Sequence, residues 1–510
     1  MLTLAEALAW EGSFYDACRL AWPAEGMLLR APEGRQLTYG EAEEGAARLA
    51  ATFAAWGVRK GDRVAAQVEK CPEALLLYLA CLRYGAVYVP VNPAFTPSET
   101  RHILEDAEPA LVVCKAAHAQ LARDCCGDAV KVATLEADGG GSLSEDAARR
   151  APAAGLQPQA ADLAAILYTS GTTGRPKGAM HTHRSLLVNA VALRDLWLFT
   201  PHDVLLHSLP FFHAHGLFVS THCTLASGST LLWHARFDAD VVCADLPRST
   251  VYMGVPTMYQ RLLKSDRFDA GTCRSVRLFA SGSSALSEDA FRLFEQKTGH
   301  VILERYGMSE AGIIAANPYD RARKPKSVGI PLSVTEVKVA AADGRPVPAG
   351  GNGAVWIRGE SILRGYWRRP DKNAEDMTPD GWFNTGDIGC FDADGYLYLV
   401  SRAKDVIISG GYNVYPAEVE DVLKRMAGVS DAAVIGVPHP DFGEGVMAVV
   451  CAAGAGLSEQ AIIDYARRDL VGYKVPKRVF FVEDLPKNAI GKVLKQELKG
   501  RYAGTFDARN

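Results

Sequence analysis

The segment Ile166-Leu-Tyr-Thr169-Ser170-Gly171-Thr172-Thr173-Gly174-Arg175-Pro176-Lys177-Gly178 sets small hydroxyl residues, glycines and one lysine behind a short apolar run. Glycine lets backbone N–H groups come close to an anion, and Ser or Thr hydroxyls add neutral donors. The lysine adds a mobile cation, so the chemistry that fits is the holding of a phosphate chain. A Walker A loop is excluded. That motif needs GxxxxGK followed by Ser or Thr, whereas Lys177 lies three residues after Gly174 and precedes Gly178. Read alone, the segment is also compatible with a flexible surface turn.

Other residues able to do chemistry are spread along the chain. Each also has a plainer reading: Glu310 as a solvated acid at a helix start, Asp387 as a turn acid, Tyr306 as core, Lys492 as a solvated lysine.

The elements that must position them follow from periodicity. Residues 40–56 read as an amphipathic helix, 62–68 as a strand, 72–84 as a helix with Pro72 in its first turn, and 86–91 as a strand. Residues 137–161, rich in Gly, Ala, Pro and Gln, read as a surface connection before a strand at 163–168. Apolar runs follow at 251–255, 276–280 and 301–303, and Gly-rich corners at 349–353 and 392–395 look like β-hairpin turns. After residue 402 the pattern restarts, with strands at 406–409, 432–437 and 445–451 and helices at 416–426 and 458–470. That is the length of a separate domain of about 100 residues. The β–α alternation predicts an α/β fold of mixed or parallel sheets covered by helices.

Bulk properties narrow the class. A chain of 510 residues exceeds one ordinary core, and 48% hydrophobic with 22% charged residues is a globular composition. A net charge of −4 argues against nucleic acid as a partner. The start has an acid at Glu6 and no secretory or transit pattern, and no apolar run approaches the ~20 residues that span a bilayer. A cytoplasmic protein without a membrane partner is expected, its eleven scattered cysteines reduced thiols.

At this point the chain resembles the adenylate-forming superfamily of acyl-CoA synthetases, adenylation domains and luciferases over nearly its whole length. Besides the loop, the resemblance rests on Glu304-Arg-Tyr-Gly-Met-Ser-Glu310, Asn384-Thr-Gly-Asp387, Ser401-Arg-Ala-Lys-Asp405, Ser409-Gly-Gly-Tyr-Asn413 and Pro486-Lys-Asn-Ala-Ile-Gly-Lys492. It implies a large N-terminal domain (1–402) with a β-barrel-like subdomain and a small mobile α+β C-terminal domain (403–510), hinged at Lys404. It implies ATP, Mg²⁺ and coenzyme A as cofactors and a small carboxylic acid as substrate. The ATP site would take Thr169, Ser170, Gly171, Thr172, Thr173, Gly174 and Lys177 at the phosphates. Glu304, Tyr306 (stacking on adenine), Gly307, Ser309, Asp387 (on the ribose) and Arg402 would complete it. Catalytic candidates are Lys492 at the bridging and carboxylate oxygens, Glu310 on magnesium, and His213. Gly410 and Gly411 would serve the coenzyme A channel. Ser309 stands where the family usually has Thr, and Ser401 where it usually has Gly. A homodimer is compatible with the resemblance, and free coenzyme A is the expected thiol because no carrier domain follows Lys492, with a separate carrier protein as the alternative acceptor.

Within the superfamily, Phe212-His-Ala-His-Gly-Leu217, Met253-Gly-Val-Pro-Thr257 and Gly436-Val-Pro-His-Pro-Asp-Phe-Gly-Glu444 are similar to malonyl-CoA synthetases. A dicarboxylate needs a cation for its second carboxylate. Arg305 is the candidate, with His213, His215 and Ile313 around the acid; alternatively Arg305 pairs with Glu304 or Glu310, and His215 is a satisfied core histidine. The run Ala311-Gly-Ile-Ile-Ala-Ala316 is apolar where the malonyl enzymes are mostly Thr, Met, Asn and Ser. The expected acid is therefore malonate or methylmalonate, with a medium-chain or aryl monocarboxylic acid as the alternative. A nucleotide-binding protein without catalysis is the reading from another class.

Overall fold

A computed structural model describes residues 1–127, 129–169, 176–341, 344–452, 456–488 and 491–506. The chain divides into two compact units: Met1–Val337 with Ile357–Phe383, and Lys338–Trp356 with Asn384–Asn510.

The first unit holds two sheets. One runs, edge to edge, through the strands Gly365–Tyr366, Lys177–Thr182, Leu163–Thr169, Val87–Pro90, Arg63–Gln67, Leu111–Cys114 and Lys131–Thr134. From Leu163–Thr169 onward this sheet is parallel, while Lys177–Thr182 pairs antiparallel with Leu163–Thr169. The other sheet is parallel across Leu303–Met308, Leu278–Ser281, Val251–Gly254, Val204–His207, Thr230–Trp233 and Met27–Arg30. Beyond Leu303–Met308 it turns antiparallel through Gly312–Ala316 to Ser327–Pro331.

Local sequence explains the elements that frame the site. Thr38 and Glu41 form a reciprocal cap on the helix Tyr39–Ala55. Pro72 opens the helix Pro72–Tyr84, whose burial on nearly every side matches its apolar composition. Thr182 ends one strand and caps the helix His183–Leu196 by accepting from the Ser185 N–H at 3.1 Å. Leu75, Leu79, Val188, Val191 and Trp197 lie in the larger core; Tyr259, Phe279 and Phe294 form a second core. The stretch 137–161 is more ordered than its composition predicts. It contains the helix Ser142–Ala148, which buries Leu143 and Ala147.

In the second unit Phe383–Phe391 and Leu397–Arg402 form an antiparallel hairpin around the corner expected at 392–395, with Asp387 opposite Arg402. A further sheet orders Tyr412–Val414, Ile407–Ser409, Gly443–Ala452 and Val429–His439, with Arg478–Val482 parallel beside Gly443–Ala452. Its two faces bury Val434, Val446, Val450 and Leu423 on one side and Ile435, Met447, Leu485 and Leu498 on the other. Among the described residues no helix is long and apolar enough to cross a membrane.

Candidate functional site

Ser170–Gly174 lie outside the described residues, but both ends of their loop are fixed. The ladder sets Thr169 opposite Lys177 and Tyr168 opposite Gly178. Glu310 sits at the tip of the hairpin between Leu303–Met308 and Gly312–Ala316 and is 8% exposed. It is therefore not the solvated helix-start acid of its plainer reading. Its Oε1 accepts from the Thr169 hydroxyl at 3.3 Å and from the Tyr366 hydroxyl at 3.2 Å. The Lys177 ammonium stands 5.6 Å from the centroid of the Tyr366 ring. Burial first, then the neighbouring Lys372, lowers the Lys177 pKa. A hydroxyl, a carboxylate and a lysine thus meet at the foot of the loop. A single carboxylate beside a phosphate site is the donor set Mg²⁺ commonly uses, the remaining ligands being phosphate oxygens and water. The sequence did not reveal Tyr366 or Lys372. Nor did it reveal Asp106, whose carboxylate accepts from Tyr168 at 2.6 Å and from Arg369 at 2.9 Å.

On the strand Leu303–Met308, successive side chains face opposite sides of the sheet. Arg305 turns toward Gly282 and the His213–His215 segment. A Cβ on Gly282 would lie 2.5 Å from the guanidinium carbon, so only glycine leaves room for it. Arg305 is 6% exposed, and among the described residues its Nε and Nη2 have no hydrogen-bond partner. Among the described residues the alternative ion pair with Glu304 or Glu310 is not formed. Burial brings the Arg305 pKa down to about 10, so the group stays charged at neutral pH. Burial first, then the Arg305 charge, lowers the pKa of both His213 and His215, which are therefore neutral there. The Ser283 hydroxyl lies 3.4 Å from His215 Nδ1, while His215 Nε2 is buried without a partner among the described residues. His215 is thus not a fully satisfied core histidine. Ile313 is buried one strand away, paired with Gly307.

Glu304 points the other way. Its Oε2 accepts from the Leu286 N–H at 3.4 Å, a backbone N–H of Lys326 also reaches the carboxylate, and among the described residues Oε1 has no partner. Burial raises its pKa to about 7. A carboxyl raised in the folded state stabilises the fold fully below the unfolded value, and that contribution is lost as pH rises through about 7. Denaturant titrations at pH 5 and pH 8 are expected to show wild type losing on the order of 3 kcal/mol relative to Glu304→Gln across that interval. Tyr306 is 7% exposed, and the Ser309 carbonyl accepts from His181 Nε2–H at 2.6 Å.

The second unit gathers another group of expected residues. Arg402 Nε bonds Asp387 Oδ1 at 2.9 Å, and Arg402 Nη1 donates to the Thr385 carbonyl at 3.1 Å. The Thr385 hydroxyl is fixed on the Val355 carbonyl at 2.8 Å and accepts from the Asp387 N–H at 3.1 Å. Lys492 is an exposed residue, yet its ammonium stands close to Asp387, Arg402, Lys404 and Asp405. Burial at that point, followed by Arg402, lowers its pKa. Its backbone is held by Asn488, whose Oδ1 accepts from the Lys492 N–H at 2.9 Å. Gly410 and Gly411, at φ of 60° and 81°, make the two-residue turn joining Ile407–Ser409 to Tyr412–Val414.

One buried network beside the Arg305, His213 and His215 cluster left no sequence signal. The Lys70 ammonium is 2.7 Å from both the Nδ1 and the carbonyl of His207, and 4.5 Å from the Trp233 ring centroid. His207 Nε2–H donates to the Gly216 carbonyl at 2.9 Å, next to His215. Lys70 and His207 are far apart in sequence, so no local pattern could join them.

Comparison with known proteins gives concordant results. The family model described as "AMP-binding enzyme" matches residues 21–367, and "AMP-binding enzyme C-terminal domain" matches 418–492. The crystal structure of ATP-bound MatB from Rhodopseudomonas palustris superimposes with a TM-score of 0.95 at 42% identity, covering 98% of this chain and 100% of that one. A feruloyl-CoA synthase from an Amycolatopsis species is 38% identical over 92% of this chain and 94% of its own length. A sulfoacetate–CoA ligase from Cupriavidus necator is 35% identical over 94% of this chain and 95% of its own.

Proposed function

The chain belongs to the AMP-binding enzyme family as an ATP-dependent acyl-CoA ligase, and from that premise we propose that its acid is malonate or methylmalonate. The observation that carries this reading is Arg305, a buried guanidinium with two unpartnered N–H groups beside two neutral histidines. An unpaired buried charge is costly, and a second carboxylate would take both N–H groups in one bidentate contact. The similarity to ATP-bound MatB supports ATP as the nucleotide. Ile313 offers the apolar wall against which the methylene or methyl group packs.

In this proposal the acid's reacting carboxylate attacks the α-phosphorus of ATP and the bond to pyrophosphate breaks. Lys177, Thr169 and the loop Ser170, Gly171, Thr172, Thr173 and Gly174 hold the β- and γ-phosphates. Tyr306 stacks on the adenine, with Glu304, Gly307 and Ser309 around it, and Asp387 with Arg402 takes the ribose hydroxyls. Lys492 places its ammonium against the carboxylate and the bridging oxygen, where negative charge develops. Mg²⁺, held through Glu310, would neutralise phosphate charge when bound. The coenzyme A thiol then attacks the acyl carbonyl, its proton passing to solvent, and AMP leaves, while His213, kept neutral by burial and by Arg305, lies beside the acid. Residues 403–510 turn about Lys404 between the two half-reactions, withdrawing Lys492 and bringing the Gly410–Gly411 turn to the thiol.

The test is AMP release with malonate, methylmalonate, octanoate, benzoate and ferulate, each with ATP and coenzyme A. Malonate or methylmalonate is expected to give the highest kcat/KM. Turnover of octanoate with none of malonate would overturn the reading. A second reading, an aryl or medium-chain monocarboxylic acid, is favoured by the apolar run Ala311–Ala316 and by the similarity to a feruloyl-CoA synthase. Ferulate leading the series would establish it.

A further inference from the structure

We infer that Asn189 is a positioning residue that fixes acid selectivity by holding Ile313 in place. The ladder between Leu303–Met308 and Gly312–Ala316 slips between Tyr306 and Gly307, so that Tyr306 faces Ala315 whereas Gly307 faces Ile313. Such a bulge re-aims the side chains next to it. On the other side of Gly312–Ala316, the pairing with Ser327–Pro331 covers only Ala315 and Ala316. The Leu332 N–H reaches the Ile314 carbonyl, and among the described residues no strand reaches the peptide groups of Ile313 on that side.

Asn189 replaces the missing strand. Its Nδ2 donates to the Ile313 carbonyl at 2.9 Å, and its Oδ1 accepts from the Ile313 N–H at 3.2 Å. One side-chain amide thus satisfies both backbone groups of one residue, as a neighbouring strand would. The fit is close: Asn189 is 5% exposed, and a Cβ on Gly312 would lie 2.6 Å from its Oδ1. A narrow cavity walled by His181, Ser185, Phe218 and His222 borders the amide, so truncating it leaves open space rather than a packed substitute.

The helix that carries Asn189, His183–Leu196, is capped directly onto the strand beginning at Lys177. The clamp therefore ties the apolar wall of the acid pocket to the strand that bears the phosphate-binding lysine. It sets how deep Ile313 stands relative to Arg305, and so how much carbon fits between the two carboxylates of the acid.

This inference rests on the reading that Ile313 lines the acid pocket. Asn189→Ala and the milder Asn189→Ser are measured with malonate and methylmalonate, or with the two best acids of the panel, alongside Ile313→Ala and a thermal melt of each. Asn189→Ala is expected to raise KM for the acid about tenfold and to change the ratio of kcat/KM between the two acids about fivefold, with KM for ATP unmoved. Asn189→Ser is expected to shift the same ratio in the same direction by less. A purely structural role would lower the melting temperature and the active fraction and leave KM and the ratio as they were, which would overturn the inference. If Ile313→Ala shifts the ratio and neither Asn189 variant does, the inference alone fails. If none of the three shifts it, the assignment of Ile313 to the pocket fails and takes the inference with it.

Discussion

Arg305→Met is expected to lower kcat/KM for malonate, the proposed acid, by about 10²–10³-fold, with KM for ATP within a factor of two of wild type. The size follows from burial. The guanidinium keeps its charge yet has Nε and Nη2 unpartnered, and in the bound enzyme those groups would meet an otherwise uncompensated carboxylate. Removing them leaves the second carboxylate desolvated and unpaired, the expensive half of a buried ion pair. The same reasoning gives the free enzyme the opposite response. An orphaned buried charge destabilises the empty fold, so the variant without acid is expected to melt no lower than wild type. Malonate should raise the wild-type melting temperature and leave that of the variant unchanged. Steady-state kinetics and melts with and without malonate read both effects. An unaltered kcat/KM for malonate would remove the dicarboxylate assignment.

The second large effect falls on one half-reaction. Lys492→Ala is expected to slow malonate-dependent pyrophosphate exchange about 10²–10³-fold, the usual loss when one donor to developing charge is removed. Thioester formation from preformed acyl-adenylate and coenzyme A should proceed within a few-fold of wild type. The residue's neighbours add a pH signature. Its pKa is lowered by burial and by Arg402, and the ammonium must be protonated to meet an oxyanion. Pyrophosphate exchange should therefore decline on the alkaline side earlier than an ordinary lysine would allow, whereas the thioester step should show no such decline. Equal losses in both half-reactions would remove Lys492 from its assigned role.

Much of this architecture was legible because it is local. The helix Pro72–Tyr84 announces itself by a proline start and a continuous apolar run, and the strand Leu163–Thr169 by β-branched and apolar residues ending in hydroxyls. The short helix Ser142–Ala148 was missed because Leu143 and Ala147 are its only buried positions, too few for a periodic signal within an Ala- and Gly-rich stretch. The joining of Lys338–Trp356 with the chain from Asn384 onward depends on pairing between distant strands, to which periodicity is blind. Among the candidate residues, Lys177, Glu310, Arg305 and Lys492 were visible through their motifs. Tyr366, Asn189 and the Lys70–His207 pair were not, since each acts on a partner tens to more than a hundred residues away. The charge state of the acid-side cluster was also out of reach. Whether Arg305 meets a carboxylate of its own chain is a property of packing, not of spacing.

The pairing of Thr169 with Lys177 has a consequence for how this protein can vary over generations. Two antiparallel strands count residues in twos, and a slip of one turns every side chain to the opposite face. Deleting a single residue from Lys177–Thr182 would point the lysine away from Glu310 and bring a neighbour into its position. Between Ala165–Thr169 and Lys177–His181, where the pairing runs without a shift, the ladder is a ruler that tolerates substitution but not a change of length. If Ile313 walls the acid as proposed, its bulged, side-chain-clamped strand is the segment free to vary, while the spacing of Thr169 and Lys177 stays locked to its count.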